Sequence, residues 1–316
     1  MVSYNLLIDN SRQARGLKKQ YLHLKLHPHA STVILSLTEI WEILIKSPHN
    51  YISRHLIKIP YMYKGSLIEI SDESENLLVV TDLHGNLTDF KIYLKIWEED
   101  YARRSSIVFT GDFIHSMGYE DGSVEILETI KSYYKRYKNF HLLLGNHEWS
   151  HITGIDVFKG GVNQSLSFER LLNEKFGDDW MEKLESYTRF FKKLPLAVKT
   201  RNKVFISHAG PSRHIKGLDD IINIKEDGYQ TPAVYEMLWN RYGSYLEEDI
   251  DEFLKRVDCN AMIVGHTPVD GFQVIGNQII LSSSYSAGRK AYINLNLNTK
   301  IENAQDLIKM IKFIQY

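Results

Sequence analysis

Three observations make this chain an α/β protein. Short apolar runs of four or five residues recur from Leu77 onward, amphipathic segments separate them, and Asp, His or Asn stands directly after several runs. Runs this short and apolar suit strands covered on both faces of a sheet, with the segments between them as helices. Polar residues that follow such strands lie where open α/β sheets place their sites.

Taken in order, residues 1–75 are expected to form a helical lead-in packed on the core. They start basic and polar, then carry a helical pattern through Ile34–Ile45 (Leu35, Leu37, Ile40, Trp41, Leu44) closed by Ser47-Pro48. LIEI at 67–70 has strand character and SDESEN at 71–76 is a polar turn. From residue 76 to 316 a main domain is expected. LLVVT (77–81) leads into a helix over Leu87–Trp97, SIVFT (106–110) into one over Ser123–Tyr137, and FHLLL (140–144) follows. Trp149 to Leu194 reads as helical or irregular, with Gly160-Gly161 as a flexible point. LPLAVKT and KVFISHA pair as strands around Arg201-Asn202, and 216–257 is helical. AMIVG, GFQVI, NQIILS and AYINLNL are short strands before a terminal helix from Ala304. Neither an internal repeat nor a long linker divides the chain, which predicts one compact domain with an N-terminal elaboration.

Composition narrows the setting. Among 316 residues, 43% are apolar and 24% charged, ordinary globular usage. A formal charge of -1 exerts no pull toward nucleic acid or an anionic membrane. Lys18, Lys19, Lys192 and Lys193 come in short pairs, without the basic stripe that a phosphate backbone needs. The single cysteine, Cys259, forms no intrachain disulfide and fits a reducing compartment as a buried thiol. No run reaches the roughly 18 apolar residues of a membrane span, and the first residues lack a signal-peptide core. A soluble cytoplasmic protein of unknown oligomeric state is expected.

The chemistry lies in five runs: TDLHGN (81–86), GDFIHSM (111–117), LLGNHEW (143–149), ISHAGPS with His208 and IVGHTP with His266. Residues two apart in an extended segment point the same way, so Asp82 and His84 can face one cation. Asp112 ends the next strand, where its carboxylate can bridge two metals. GNHE offers a carbonyl (Asn146), an imidazole (His147) and a carboxylate (Glu148). A mixed oxygen and nitrogen donor set suits Mn, Fe or Zn better than Ca, with Mn favoured. Two ions about 3.5–4 Å apart would lower the pKa of a bridging water and clamp phosphate oxygens for in-line attack, as a metal-dependent phosphoesterase requires.

The order TDLHGN, GDFIHSM, GNHEW, SHAGPS, LWNR, GHTP resembles the calcineurin-like metallophosphoesterases, and within them the PPP-type serine/threonine phosphoprotein phosphatases. The resemblance covers roughly 75–297 and includes a late LSSSYS loop. It implies a sandwich of two β-sheets flanked by helices, with the catalytic domain over 76–316. It implies Asp82, His84 and Asp112 around a first metal, and Asp112, Asn146, His208 and His266 around a second. It implies that His147 is the general acid, that Arg241 of LWNR is a phosphate-gripping guanidinium and that Asn146 also binds substrate. The expected substrate is a phosphorylated protein or a small phosphate ester.

The chain departs from the family at GDFIHSM, where the usual pattern is GD-x-x-D-R-G. His115 replaces the acid that orients the catalytic histidine, and Ser116 replaces a second phosphate-clamping arginine. Arg213 and Arg289 are candidates for the missing cation, while His115 is either a substrate or metal contact or an exposed loop residue. Ala209 departs more mildly, standing where the family has Gly. Ser150–Arg189 is long enough for a lid or side wall, with Trp149, Phe158, Trp180 and Tyr187 expected mostly in the core. Two other readings stay open: a diadenosine tetraphosphate-type nucleotide hydrolase and a metal-poor binding protein.

Overall fold

The computed structural model describes three short strands within residues 1–59, then residues 61–315 except 71–72, 101–103, 117 and 119. The chain divides into two units, Met1–Ile59 and Pro60–Tyr316. In the first, β1 (Leu6–Leu7), β2 (Tyr21–Leu24) and β3 (Val33–Ser36) form an antiparallel sheet in that order. The expected helix over 34–45 is therefore corrected at its start. Val33–Ser36 pairs with Tyr21–Leu24, because a β-branched run that finds a partner strand overrides helical spacing. Residues 37–45 lie outside the described residues.

The second unit begins with a hairpin, β4 (Tyr61–Lys64) and β5 (Leu67–Ile70). The hairpin joins the larger sheet, so the expected lead-in over 1–75 ends earlier than its sequence pattern implied. Next come β6 (Asn76–Val80), α1 (Leu87–Asp100), β7 (Ser105–Phe109), α2 (Ser123–Arg136) and β8 (Phe140–Leu142). Then α3 (Asn146–Thr153), a two-residue-per-strand hairpin β9 (Phe158–Lys159) and β10 (Val162–Asn163), α4 (Gln164–Phe176) and α5 (Trp180–Phe191) fill the long stretch after Trp149. β11 (Ala197–Lys199) and β12 (Val204–Ser207) pair antiparallel as expected. The helical 216–257 resolves into α6 (Leu218–Ile222), α7 (Pro232–Trp239) and α8 (Glu247–Arg256). β13 (Ala261–Val264), β14 (Phe272–Ile275), β15 (Gln278–Leu281) and β16 (Ala291–Asn296) follow. The terminal helix is only α9 (Gln305–Ile308), and the chain then turns back as β17 (Ile311–Phe313) against β16.

Two sheets carry the unit, in strand orders β17-β16-β6-β7-β8 and β14-β15-β13-β12-β11-β5-β4. Strand alternation sorts their side chains into two cores. Leu77 and Val79 of β6 join Ile68, Ile206, Ile263 and Ile293 in one buried cluster that draws on both sheets. Leu78 and Val80 face the other way, against Phe90, Tyr93 and Trp97 of α1. Those three recur at helical spacing and are at most 1% exposed, so each contributes roughly 2–3 kcal/mol of apolar burial. Of the aromatics expected in the core, Trp149 and Tyr187 are buried, whereas Phe158 is 64% exposed on β9. Among the described residues no helix is long and apolar enough to cross a membrane.

Candidate metal centre

β6, β7 and β8 are parallel and in register, as are β12 and β13. The five loops that carry the candidate ligands therefore leave strand ends side by side within each sheet. Leu83 and His84 donate backbone N–H bonds to the Asp112 carbonyl at 2.9 and 2.8 Å. The His266 N–H reaches Asp82 Oδ1 at 3.1 Å, tying a loop of one sheet to a loop of the other. Glycine is required at Gly111 and Gly145, because a Cβ on either would collide with the other loop's backbone.

His84, Asp112, His115 and His266 all hold positive φ, between 45° and 67°. Each costs roughly 1 kcal/mol for a side-chain-bearing residue, and such strain persists only where the surroundings enforce it. Glu148 is one enforcer. Fully buried in the first turn of α3, its carboxylate accepts N–H bonds from Asp112 (2.8 Å), Phe113 (2.8 Å) and Gly145 (3.1 Å). This side chain, which the sequence offered as a possible donor to a metal, clamps two loops instead. Ala209 keeps an ordinary φ and the left-handed position falls on Gly210 (φ 111°), so the methyl at 209 is harmless.

The donor atoms converge in two groups that share Asp112. Those of His84, Asp112 and His147 lie within 4.8 Å of one another, and so do those of Asp112, His208 and His266. Asp112 Oδ2 stands 3.8 Å from His84 Nε2, 3.8 Å from His147 Nε2 and 3.6 Å from His208 Nε2. Asn146 belongs to the second group, with Oδ1 2.9 Å from His208 Nε2. Asp82 sits beside it, Oδ1 3.8 Å from His208 Nδ1.

Four features of these residues fit a metal. His208 Nδ1 contacts the Thr110 carbonyl at 3.1 Å, which fixes the tautomer and turns a lone pair of Nε2 inward. His208 Nε2 also lies 2.9 Å from Asn146 Oδ1 and 3.3 Å from His266 Nδ1, three atoms able to donate to a cation gathered at one point. Ligands about 2.0–2.2 Å from one ion lie at comparable mutual spacings. Finally, burial and then the charge of Asp82 push Asp112 well above the usual carboxylate range, and burial and then Asp112 push Glu148 up to about 7. Buried acids this close call for positive charge.

Around the donors runs a chain of imidazoles. His115 Nδ1 lies 2.8 Å from His147 Nδ1, and His115 Nε2 lies 3.0 Å from His151 Nε2. Of the two readings open for His115, the partly exposed loop residue is the one that fails: it is 1% exposed. Burial, followed by the neighbouring His151, pushes its pKa down to about 2, so the ring is neutral and each link has one donor and one acceptor. His151 escaped the sequence reading, although its position four residues after His147, on the same helical face, was a usable signal.

A cleft of about 570 Å³ opens over the donors, lined by Asp82, His84, His266, Ser116, Lys159 and the Ser282–Ser286 loop among others. Asp89 anchors that loop. Buried at the start of α1, it takes hydrogen bonds from Ser284 Oγ (2.5 Å) and Asn86 Nδ2 (2.7 Å) and an ion pair from Lys290 (2.8 Å). Arg241 lies beside the cleft with Nη2 3.4 Å from the His266 carbonyl. Burial first, and then its charge among others, lowers His208 and His266, while on Asp112 the guanidinium only partly offsets the rise that burial causes. The two arginines suggested for the missing cation are occupied elsewhere. Arg213 contacts Glu236 at 3.8 Å, and Arg289 pairs with Asp270 at 3.2 Å and covers the Phe313 ring. Lys159, unremarked in the sequence, lines the cleft instead.

The profile of the family described as calcineurin-like phosphoesterase matches residues 76–270, more than half of the chain. A serine/threonine-protein phosphatase of Caenorhabditis elegans is 23% identical over 247 residues, covering 72% of this chain and 50% of its own. Human serine/threonine-protein phosphatase 5 is 30% identical over 184 residues, 56% of this chain and 33% of its own. The chain thus spans half or less of those relatives' lengths. Among solved structures, a Saccharomyces cerevisiae serine/threonine phosphatase similar to human PP5 superposes with a TM-score of 0.59 at 19% identity, covering 80% of this chain and 84% of its own. A cold-active protein tyrosine phosphatase mutant gives a TM-score of 0.52 at 15% identity, covering 94% and 96%. Each of these two likenesses is one of fold.

Proposed function

Since the chain belongs to the calcineurin-like phosphoesterase family, we propose that it is a phosphomonoester hydrolase of the serine/threonine protein phosphatase type. The single observation that carries the reading is the pair of donor groups sharing Asp112, a carboxylate placed to serve two ions at once. Asp82, His84 and Asp112 would hold the first, as the family resemblance implies, although Asp82 stands 3.8 Å from His208 and it is His147 that joins His84 and Asp112 in the observed group. Asp112, Asn146, His208 and His266 would hold the second, with Mn, Fe or Zn as the ions and Mn²⁺ the one taken for the test. Two such ions would supply an activated water and positive charge for the phosphate oxygens.

The chain's own groups do the remaining work. Arg241 grips the phosphate from beside the cleft, where a planar guanidinium can hold two oxygens. His147 protonates the leaving oxygen from Nε2, the nitrogen that faces Asp112. The acid is the imidazolium, which returns to the neutral ring when it gives up the Nε2 proton; in that form Nδ1–H donates to His115, whose Nε2–H donates in turn to His151. Burial holds His147 well below its ordinary value, and the negative charge of a bound phosphate opposes that effect. A histidine thus does the orienting that a carboxylate does in the family pattern. Both the nucleotide-hydrolase and the binding-protein readings are less favoured, since the relatives described above are protein phosphatases and the donor set is complete.

The test is hydrolysis of p-nitrophenyl phosphate by metal-stripped protein titrated with Mn²⁺. We expect turnover that rises with metal and falls by about 10²–10⁴ in His147→Asn, the range of general acid catalysis. Silence with two Mn²⁺ bound would move the substrate to anhydrides or diesters. Silence without metal binding would overturn the proposal.

A further inference from the structure

We propose that Lys159 is a second phosphate-binding cation, delivered by the β9–β10 hairpin to the side of the cleft where Ser116 leaves none. The proposal rests on the phosphoesterase reading above and names a residue for substrate binding.

The hairpin is built to aim that side chain. Gly160 and Gly161 both hold positive φ (57° and 80°), the backbone of a tight two-residue turn whose twist matches its strands. Lys159 pairs with Val162 and Phe158 with Asn163, so Lys159 and Phe158 leave opposite faces. The base of the hairpin is tied down: Asn163 Oδ1 caps α4 at Leu166 N (3.0 Å), and Gln164 N binds the Val157 carbonyl (2.8 Å). Phe158 turns outward, and Lys159 lines the cleft beside Asp82, His84, Ser116 and His266.

Lys159 makes no ion pair or hydrogen bond among the described residues, whereas Arg213 and Arg289 are both engaged. Its charge nevertheless reaches the site: it partly offsets the burial that raises Asp112 and adds to the burial that lowers His84 and His147. Burial first, against the pull of Asp112 and Asp82, holds its ammonium below the ordinary lysine value. A lysine that served only as counter-ion to those carboxylates would lose that role once divalent ions neutralised them. The Lys159 side chain is exposed in the cleft, so water can carry its charge at rest, and a phosphate dianion bound there would gain charge-assisted contacts from both the ammonium and Arg241.

The experiment is calorimetric titration of inorganic phosphate into Mn²⁺-loaded protein, with metal content and melting temperature measured on every variant. We expect Lys159→Gln to weaken phosphate about tenfold, the loss of roughly one charge-assisted contact, while Lys159→Arg stays near the parent. Metal content and melting temperature should not move. Ser116→Arg placed in the Lys159→Gln background should recover most of the affinity, because both side chains line one cleft. Unchanged phosphate affinity in Lys159→Gln overturns the proposal. So does lost metal, which would make the lysine a counter-ion. Lysine-dependent phosphate binding by a protein that hydrolyses no phosphomonoester would keep the site and sink the phosphatase reading.

Discussion

Replacing Glu148 by Ala tests how the centre is held in place. The carboxylate accepts three backbone N–H bonds at 2.8, 2.8 and 3.1 Å in a position fully shielded from solvent. Its removal strands three donors, each at roughly 1–3 kcal/mol. Water entering the vacated space recovers part, so we expect a loss of about 4 kcal/mol. For a unit this large, each kcal/mol shifts the melting temperature by roughly 2–4 °C, so the variant should melt about 10 °C lower. The assay is thermal unfolding by circular dichroism with chelator present, which keeps metal linkage out of the comparison. It is run at pH 8, above the value of about 7 to which burial and Asp112 push the carboxyl. Glu148→Gln keeps one carbonyl oxygen but sets an amide against at least one N–H donor, and should lose about half as much. A fall below about 2 °C for the Ala variant would mean that these donors find other partners, and the clamp would not be what enforces the strained loops.

The other two expectations concern histidines. His115→Asn tolerates the positive φ of 67° but cannot bridge His147 and His151. It should cut kcat about 10- to 100-fold, or roughly 1.4–2.7 kcal/mol, with KM unchanged; a KM effect alone would place His115 in substrate binding. His141, fully buried on β8, is pushed down to about 3 by burial. Below its unfolded value near 6.5 the unfolded chain binds a proton that the native ring refuses, so stability falls as pH drops toward 3. His141→Leu should remove up to ~2.3 kcal/mol of the difference between pH 6.5 and 4.5, read by urea unfolding with chelator. An identical pH slope in parent and variant would refute the assignment.

Much of this site was legible because its residues sit at fixed offsets from apolar strands. Once Leu77–Val80, Ile107–Phe109 and Phe140–Leu142 read as parallel strands, Asp82, Asp112 and Asn146 had to emerge at one edge. Lys159 was opaque for the opposite reason. It lies in a strand of two residues, too short for any period to register, and a Gly-Gly turn rather than a hydrophobic pattern aims it. The strand pairing of Val33–Ser36 and the return of Ile311–Phe313 were hidden too. Each depends on a partner distant along the chain or on an edge left open, and a local window sees neither. The role of Glu148 needed coordinates, since a carboxylate in GNHE reads equally well as ligand or as clamp.

The division of the donors between the sheets has a consequence for biosynthesis. Asp82, His84, Asp112, Asn146 and His147 follow strands of one sheet, whereas His208 and His266 follow strands of the other. A nascent chain that has exposed only the earlier group offers the residues proposed for the first ion, whereas the second would not be retained until residue 266 has emerged and folded back. Capture of that second ion on the ribosome would then mark the completion of folding rather than guide its beginning. A chain stalled short of His266 should hold one Mn²⁺ fewer than the finished protein after dialysis.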